Sequence, residues 1–173
     1  MAEPCTSAGA LKCLLDAAVP TSRFGCYART PVALPELGEE VVLYLYPGSV
    51  RSPEDGYESP LRDSVQHRSF EDCRESLRTL GYSAVGLSSH SVDAQRRVAA
   101  GTGVSHTLLS DPDLVLARAL GLPTFNMDRD DWYCRVTILI QGGRIAAAFH
   151  PSAARSAGEA IARIQDQGVA RCR

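Results

Sequence analysis

The chain has 173 residues, with 18 Lys plus Arg against 20 Asp plus Glu and a formal charge of −2. That length is enough for one domain with a real core, and the even charge provides no clustered positive surface for nucleic acid or an anionic membrane. No apolar run approaches the roughly 20 residues that a bilayer crossing needs. The opening stretch, with Glu3 and only Lys12 before a short apolar run, does not read as an export signal, so a cytoplasmic setting is expected. The six cysteines, Cys5, Cys13, Cys26, Cys73, Cys134 and Cys172, form no CxxC pair and no zinc spacing. A redox dithiol pair and a structural zinc site are thereby excluded, and free thiols are expected throughout in a reducing compartment.

Residues 1–22 are read as an N-terminal extension of uncertain structure in a single domain spanning 1–173. The run Val-Val-Leu-Tyr-Leu-Tyr at 41–46, stopped by Pro47-Gly48, predicts a strand buried on both faces. Residues 49–60 hold Gly, Pro, Ser and acids without periodicity and predict a loop, either a lid or an excursion. From Asp63 to Leu80, Val65, Phe70, Cys73, Leu77 and Leu80 recur at helical spacing and Gly81 supplies the stop. Residues 82–88 predict a second buried strand, and 91–100 an amphipathic helix begun by a serine cap. A short strand at 107–110 leads into a helix opened by Asp111-Pro112 and closed by Gly121. Residues 134–140 and 144–149 form a hairpin about Gly142-Gly143, and a last helix spans about 157–165. This order gives an α/β sandwich of thioredoxin-like type, a central mixed sheet with helices on both faces.

Four blocks, VVLYLYPG at 41–48, SFEDCRESLRTLGYSAVGLSSHS at 69–91, LLSDPDLVLARALGLPTF at 108–125 and RVTILIQGGRI at 135–145, follow one another in an order that resembles the peroxiredoxins. The similarity covers roughly Arg23 to Ile164 and is closest in kind to the bacterioferritin-comigratory-like branch and related bacterial redoxins. In that family the Tyr-Pro strand end is followed by a loop and by the peroxidatic cysteine in the first turn of the next helix. Counting back seven positions from Phe70, the matching family Phe, the resemblance sets Asp63 at the peroxidatic position and Arg68 at the resolving one; a one-residue shift sets Arg62 there instead. Neither alignment provides a thiol. The resemblance also sets Gln66 where the family has the Glu or Gln that orients an active-site arginine, and Arg135 at that arginine. It further implies a homodimer.

A carboxylate cannot replace a thiolate in attack on a peroxide oxygen. Asp63 is then either a first-turn residue neutralised by Arg135 or a general base, with Arg135 holding an anionic or carbonyl oxygen. His67 lies four residues on, on the same helical face, and completes an acid/base set with Asp63. Gln66, Tyr46, Pro47, Arg62 and Trp132 are the expected substrate-binding residues. The acids between Asp128 and Asp131 are read as an exposed turn rather than a metal site, and no cofactor is expected. A Schiff-base mechanism would rest on Lys12, the only lysine beside 17 arginines, far in sequence from these motifs. The functional expectation is a cofactor-independent small-molecule enzyme catalysing isomerisation, cyclisation or elimination, as in specialised bacterial biosynthesis. The alternatives are a thiol-dependent peroxidase or oxidoreductase using a displaced cysteine, and a non-catalytic binding protein.

Overall fold

The computed structural model describes residues 11–48, 60–127 and 130–171, with the side chains of 60–63, 127 and 169–171 outside the description. The chain runs β1 (Arg23–Cys26), β2 (Val32–Ala33), a 3-10 turn (Leu34–Leu37), β3 (Glu40–Leu45), α1 (Pro60–Asp72), α2 (Arg74–Thr79), β4 (Ser83–Ser88), α3 (Val92–Thr102) and β5 (Thr107–Ser110). It continues through α4 (Val115–Leu120), β6 (Thr124–Met127), β7 (Asp130–Tyr133), β8 (Val136–Gln141), β9 (Arg144–Phe149) and α5 (Ser156–Arg171). Seven strands form one sheet in the order β2-β1-β5-β4-β3-β8-β9, and β6 and β7 pair as a separate ribbon. β3 is central, parallel to β4 and antiparallel to β8, which makes the sheet mixed.

The period of two along β3 divides the core. Val41, Leu43 and Leu45 point into a cluster with Leu109, Leu116, Leu122 and Tyr133, under α4, while Val42, Tyr44 and Tyr46 point into a second cluster with Phe70, Leu77, Val98 and Ile164 from the other four helices. Successive strand side chains alternate faces, so a run apolar at every position requires cover on both sides. The two layers supply it.

Several local expectations are corrected. The predicted helix over 63–80 is two helices, because Cys73 leaves helical geometry at φ −93°, ψ 5°, in the sparsely populated bridge region. Val65 is 43% exposed and is not a core position, whereas Phe70 and Leu77 are buried. The helix expected from Asp111 starts at Val115. Leu114 takes a left-handed conformation at φ 51°, and the Asp111 carboxylate reaches forward to the first amides, Oδ1 accepting from Val115 N and Oδ2 from Leu116 N, each at 2.9 Å.

Of the acids read as an exposed turn before the last hairpin, Asp130 and Asp131 lie in β7, paired with β6, and Asp128 lies outside the described residues; the strand expected from Cys134 begins at Val136. Strands β1 and β2 had no expected counterpart; β1 pairs with β5. The Ser91 cap stands, its Oγ accepting from Ala94 N. The Gly142-Gly143 turn stands with φ of 54° and 73°, the signs a two-residue type I′ hairpin requires. The loop expected at 49–60, read as either a lid or an excursion, lies outside the described residues except at Pro60, which opens α1.

Candidate functional site

The candidate site lies where the second half of α1 crosses β3. Tyr44 and Tyr46 share one face of β3, and α1 places Gln66, His67 and Phe70 over them. Phe70 stacks on the Tyr44 ring at 4.1 Å between centroids, 9° from parallel, and the His67 ring meets Tyr46 edge-on at 4.4 Å. Room for Tyr44 comes from Gly86, its register partner on β4. A Cβ at Gly86 would sit 2.7 Å from the tyrosine hydroxyl, so the position requires glycine.

The structure brings together two of the expected residues from opposite ends of the sequence. Arg135, just before β8, donates from Nη1 to Gln66 Oε1 at 2.5 Å, with both side chains buried. The carbonyl of Arg135 in turn accepts from His150 Nδ1 at 2.9 Å, which ties its backbone to the end of β9. His67, expected to complete an acid/base set with Asp63, is 1% exposed. Its Nδ1 lies 2.7 Å from the Tyr44 hydroxyl, which is also 2.6 Å from His106 Nε2. His106 Nδ1 lies 3.1 Å from Glu71 Oε2, and Glu71 is held by the backbone N and Oγ of Ser105 at 2.9 and 2.8 Å. Four side chains from α1, β3 and the residue before β5 thus form one hydrogen-bonded row.

Electrostatics make the row neutral inside and charged at its outer end. Burial pushes His67 down to about 3, with the nearby His106, Arg135 and His90 adding to the effect. Burial also lowers His106, opposed by Glu71. For Glu71, burial acts upward but is outweighed by hydrogen bonds from Ser105 and His106, which hold the carboxyl below its ordinary value. The imidazoles are therefore uncharged at neutral pH and Glu71 is ionised. Among the described residues, His67 Nε2 and Gln66 Nε2 are buried with no hydrogen-bond partner. An unpaired buried polar atom costs about 1–3 kcal/mol, so folding alone does not favour leaving these atoms open beside Arg135.

The remaining expected site residues are placed as follows. Tyr46 is fully buried, and its hydroxyl is committed to Gln95, whose amide is fixed by Ser88 Oγ and Leu109 O; Tyr46 presents its ring to His67. Pro47 is half-buried after β3. Trp132, on β7, meets His90 edge-on at 5.5 Å, and His90 is pushed down to about 4 by burial and then by Arg97. Arg62 and Asp63 lie in the first turn of α1, and their side chains lie outside the described residues. The site residues that sequence reasoning missed are Tyr44, His106 and Glu71; Gly86 within a buried strand was the available signal of a close approach.

The expectation of free thiols throughout is corrected at Cys134, which is buried and disulfide-bonded; its partner lies outside the described residues. Cys26 and Cys73 are free thiols. Burial and then the neighbouring Asp72 carboxylate raise the Cys73 thiol, the opposite of what thiolate chemistry needs. No group of three His, Cys, Asp or Glu among the described residues is placed to hold a metal ion, and no helix there is long and apolar enough to cross a membrane.

Comparison with solved structures places this architecture. The peroxidoxin BcpB of Mycobacterium tuberculosis superposes with a TM-score of 0.74 at 21% identity, covering 88% of this chain and 96% of that one. A cysteine-to-serine mutant of Xylella fastidiosa PrxQ gives 0.73 at 20% identity over 90% and 94%. The chain has the peroxiredoxin fold. The bacterioferritin comigratory protein of Xanthomonas campestris, solved as a trapped intermediate and ligand complex, gives 0.71 at 22% identity over 88% and 96%. No family model matches the chain, and no curated protein matches it in sequence. Within this peroxiredoxin fold the stretch between Cys26 and Cys73 contains no cysteine, so β3, the segment after it and α1 carry no sulfur nucleophile.

Proposed function

We propose that this chain uses the peroxiredoxin fold for acid/base chemistry on a small anionic carbonyl compound, without an external cofactor. The observation that carries the reading is the unpartnered, buried Nε2 of a neutral His67, in the cysteine-free stretch between Cys26 and Cys73 and next to a Gln66 that holds Arg135. A guanidinium fixed by Gln66 is suited to a carboxylate or to the oxyanion that develops when a proton is removed beside a carbonyl. A neutral imidazole Nε2 is suited to accept that proton. Asp63, four residues before His67 along α1, is assigned the second acid/base role. Arg62, Pro47 and Trp132 are assigned to substrate binding. Isomerisation, cyclisation and elimination all begin with such a proton transfer.

The experiment is solvent deuterium wash-in, followed by proton NMR, on a panel of 2-oxo acids beginning with pyruvate, which pairs a carboxylate with an acidic C–H. The wild type is expected to accelerate exchange on at least one panel member. Arg135→Ala and His67→Gln are expected to lose about 100-fold or more of that acceleration. A parallel assay of hydrogen peroxide turnover with dithiothreitol, with sulfenic acid trapping, is expected to be negative. No acceleration on any panel member, or rapid peroxide turnover with one trapped cysteine, overturns the reading.

A further inference from the structure

The polarity of the hydrogen-bonded row follows from its outer end. A carboxylate only accepts, so His106 must donate its Nδ1 proton to Glu71. A neutral His106 then has a bare Nε2, and the Tyr44 hydroxyl must donate to it. The Tyr44 oxygen is left as an acceptor for His67, which donates from Nδ1. The tautomer with hydrogen on Nδ1 has none on Nε2, and His67 Nε2 is the unpartnered atom. One ionised carboxylate thus sets the proton positions through two imidazoles and a phenol, and leaves a lone pair at the inner end.

We propose that Glu71, His106 and Tyr44 are a proton relay that holds His67 as a base at Nε2 and carries a proton accepted there outward to the protein surface. When Nε2 takes a proton, the Nδ1 proton of His67 passes to the Tyr44 oxygen, and the Tyr44 hydroxyl proton passes to His106 Nε2. The charge then rests on a His106 imidazolium against the Glu71 carboxylate. One proton has entered, no atom has been lost, and the positive charge has moved from a fully buried ring to one paired with a carboxylate. His106 is 3% exposed at its side chain and Glu71 26%, so the outer end meets solvent and can release the proton there. The groups facing the row are Arg135 before β8 and His90 after β4 on the His67 side. On the other side Arg74 of α2 lies 3.6 Å from Glu71. Arg135 opposes charge on His67, whereas on His106 the Glu71 carboxylate favours it against the opposing Arg74, so the charge is drawn toward the carboxylate.

The relay rests on the reading of His67 as a base, but its geometry is tested in the protein alone. Nitrogen-15 NMR of the histidine rings in the full chain at pH 7 is expected to show Nδ1 protonated and Nε2 bare in both His67 and His106. A proton on His67 Nε2 overturns the proposal. Glu71→Gln keeps an oxygen toward His106, so the tautomers are expected to persist while His106 titrates roughly one pH unit lower for want of the charge. Tyr44→Phe is expected to leave the His106 tautomer in place and release that of His67 into a mixture, an effect that a purely packing role for the hydroxyl does not produce. In the wash-in assay both variants are expected to lose tenfold or more and to shift the pH profile. Unchanged exchange and an unchanged profile in both overturn the relay while leaving the proposed function standing. Correct tautomers with no wild-type exchange on any panel member leave the proton positions standing and overturn that function. Should Tyr44→Phe fail to fold, Glu71→Gln, at a partly exposed position, decides the matter.

Discussion

Two tyrosines are buried on opposite sides of the same sheet, and their hydroxyls are treated in opposite ways. Tyr133 donates to Asp111 Oδ2 at 2.6 Å and accepts from Ala117 N at 3.1 Å, while Asp111 also holds the first amides of α4. Every arm of that network ends on a matched partner, and burial followed by the bond to Asp111 pushes the phenol proton further from release. Tyr44 bridges two imidazoles whose row ends in the unpartnered His67 Nε2. A closed network clamps a helix to a strand; an open one leaves a buried polar atom unpaired at a stability cost. The closed network supports α4, and the open one lies at the candidate site, where the proposed function takes its proton acceptor.

Acid breaks the open side first. The unfolded chain binds a proton at each histidine near pH 6.5, whereas burial holds folded His67 to about 3 and His90 to about 4. Between those values the unfolded state carries more protons, so stability falls as pH drops through 6.5 and continues to fall toward 4, by about 1.4 kcal/mol per pH unit for each such histidine. Urea melts from pH 7 to 4.5 are expected to lose several kcal/mol in all, the largest effect foreseen here. A flat profile over that window contradicts the neutral burial of these rings. The closed side is broken by Asp111→Ala, which strands the Tyr133 hydroxyl proton and the amides of Val115 and Leu116. That loss is expected to cost about 3–4 kcal/mol, read as a fall in the urea midpoint at pH 7.

Legibility divided along the same line. β3 was readable because its apolar run is unbroken, and the Gly142-Gly143 hairpin because its turn chemistry is local. The pairing of Gln66 with Arg135 was reachable through resemblance alone, since 69 positions separate them and no spacing rule spans that distance. His67 was placed on a helix and assigned to the site, but its burial was not legible, because α1 shows no clean apolar stripe: Val65 faces out while Gln66 and His67 face in. His106 and Glu71 were invisible, because a histidine before a short strand and a glutamate in a helix are ordinary until the parallel pairing of β4 with β5 brings them together. The start of α4 was misjudged because a left-handed Leu114 has no composition signal and Asp111 caps from an unusual distance. Local chemistry was legible; polar networks that depend on sheet order were not.

His67→Leu sharpens the comparison with the smallest expected change in stability. The imidazole gives one hydrogen bond to Tyr44 and leaves Nε2 unpaired, so replacing it with an apolar side chain removes an unsatisfied buried atom at the same time as it removes a bond. These contributions oppose each other, and Tyr44 retains His106 as the acceptor for its proton. The net change in unfolding free energy is expected to stay within about 1 kcal/mol, against the larger loss at Asp111, and the acid dependence is expected to weaken by the share of one histidine. Urea melts at pH 7 and pH 5 on the two variants measure both quantities. A loss at pH 7 as large as that of Asp111→Ala would show that the row around His67 is a clamp like its counterpart across the sheet, and would remove the ground for assigning it a proton.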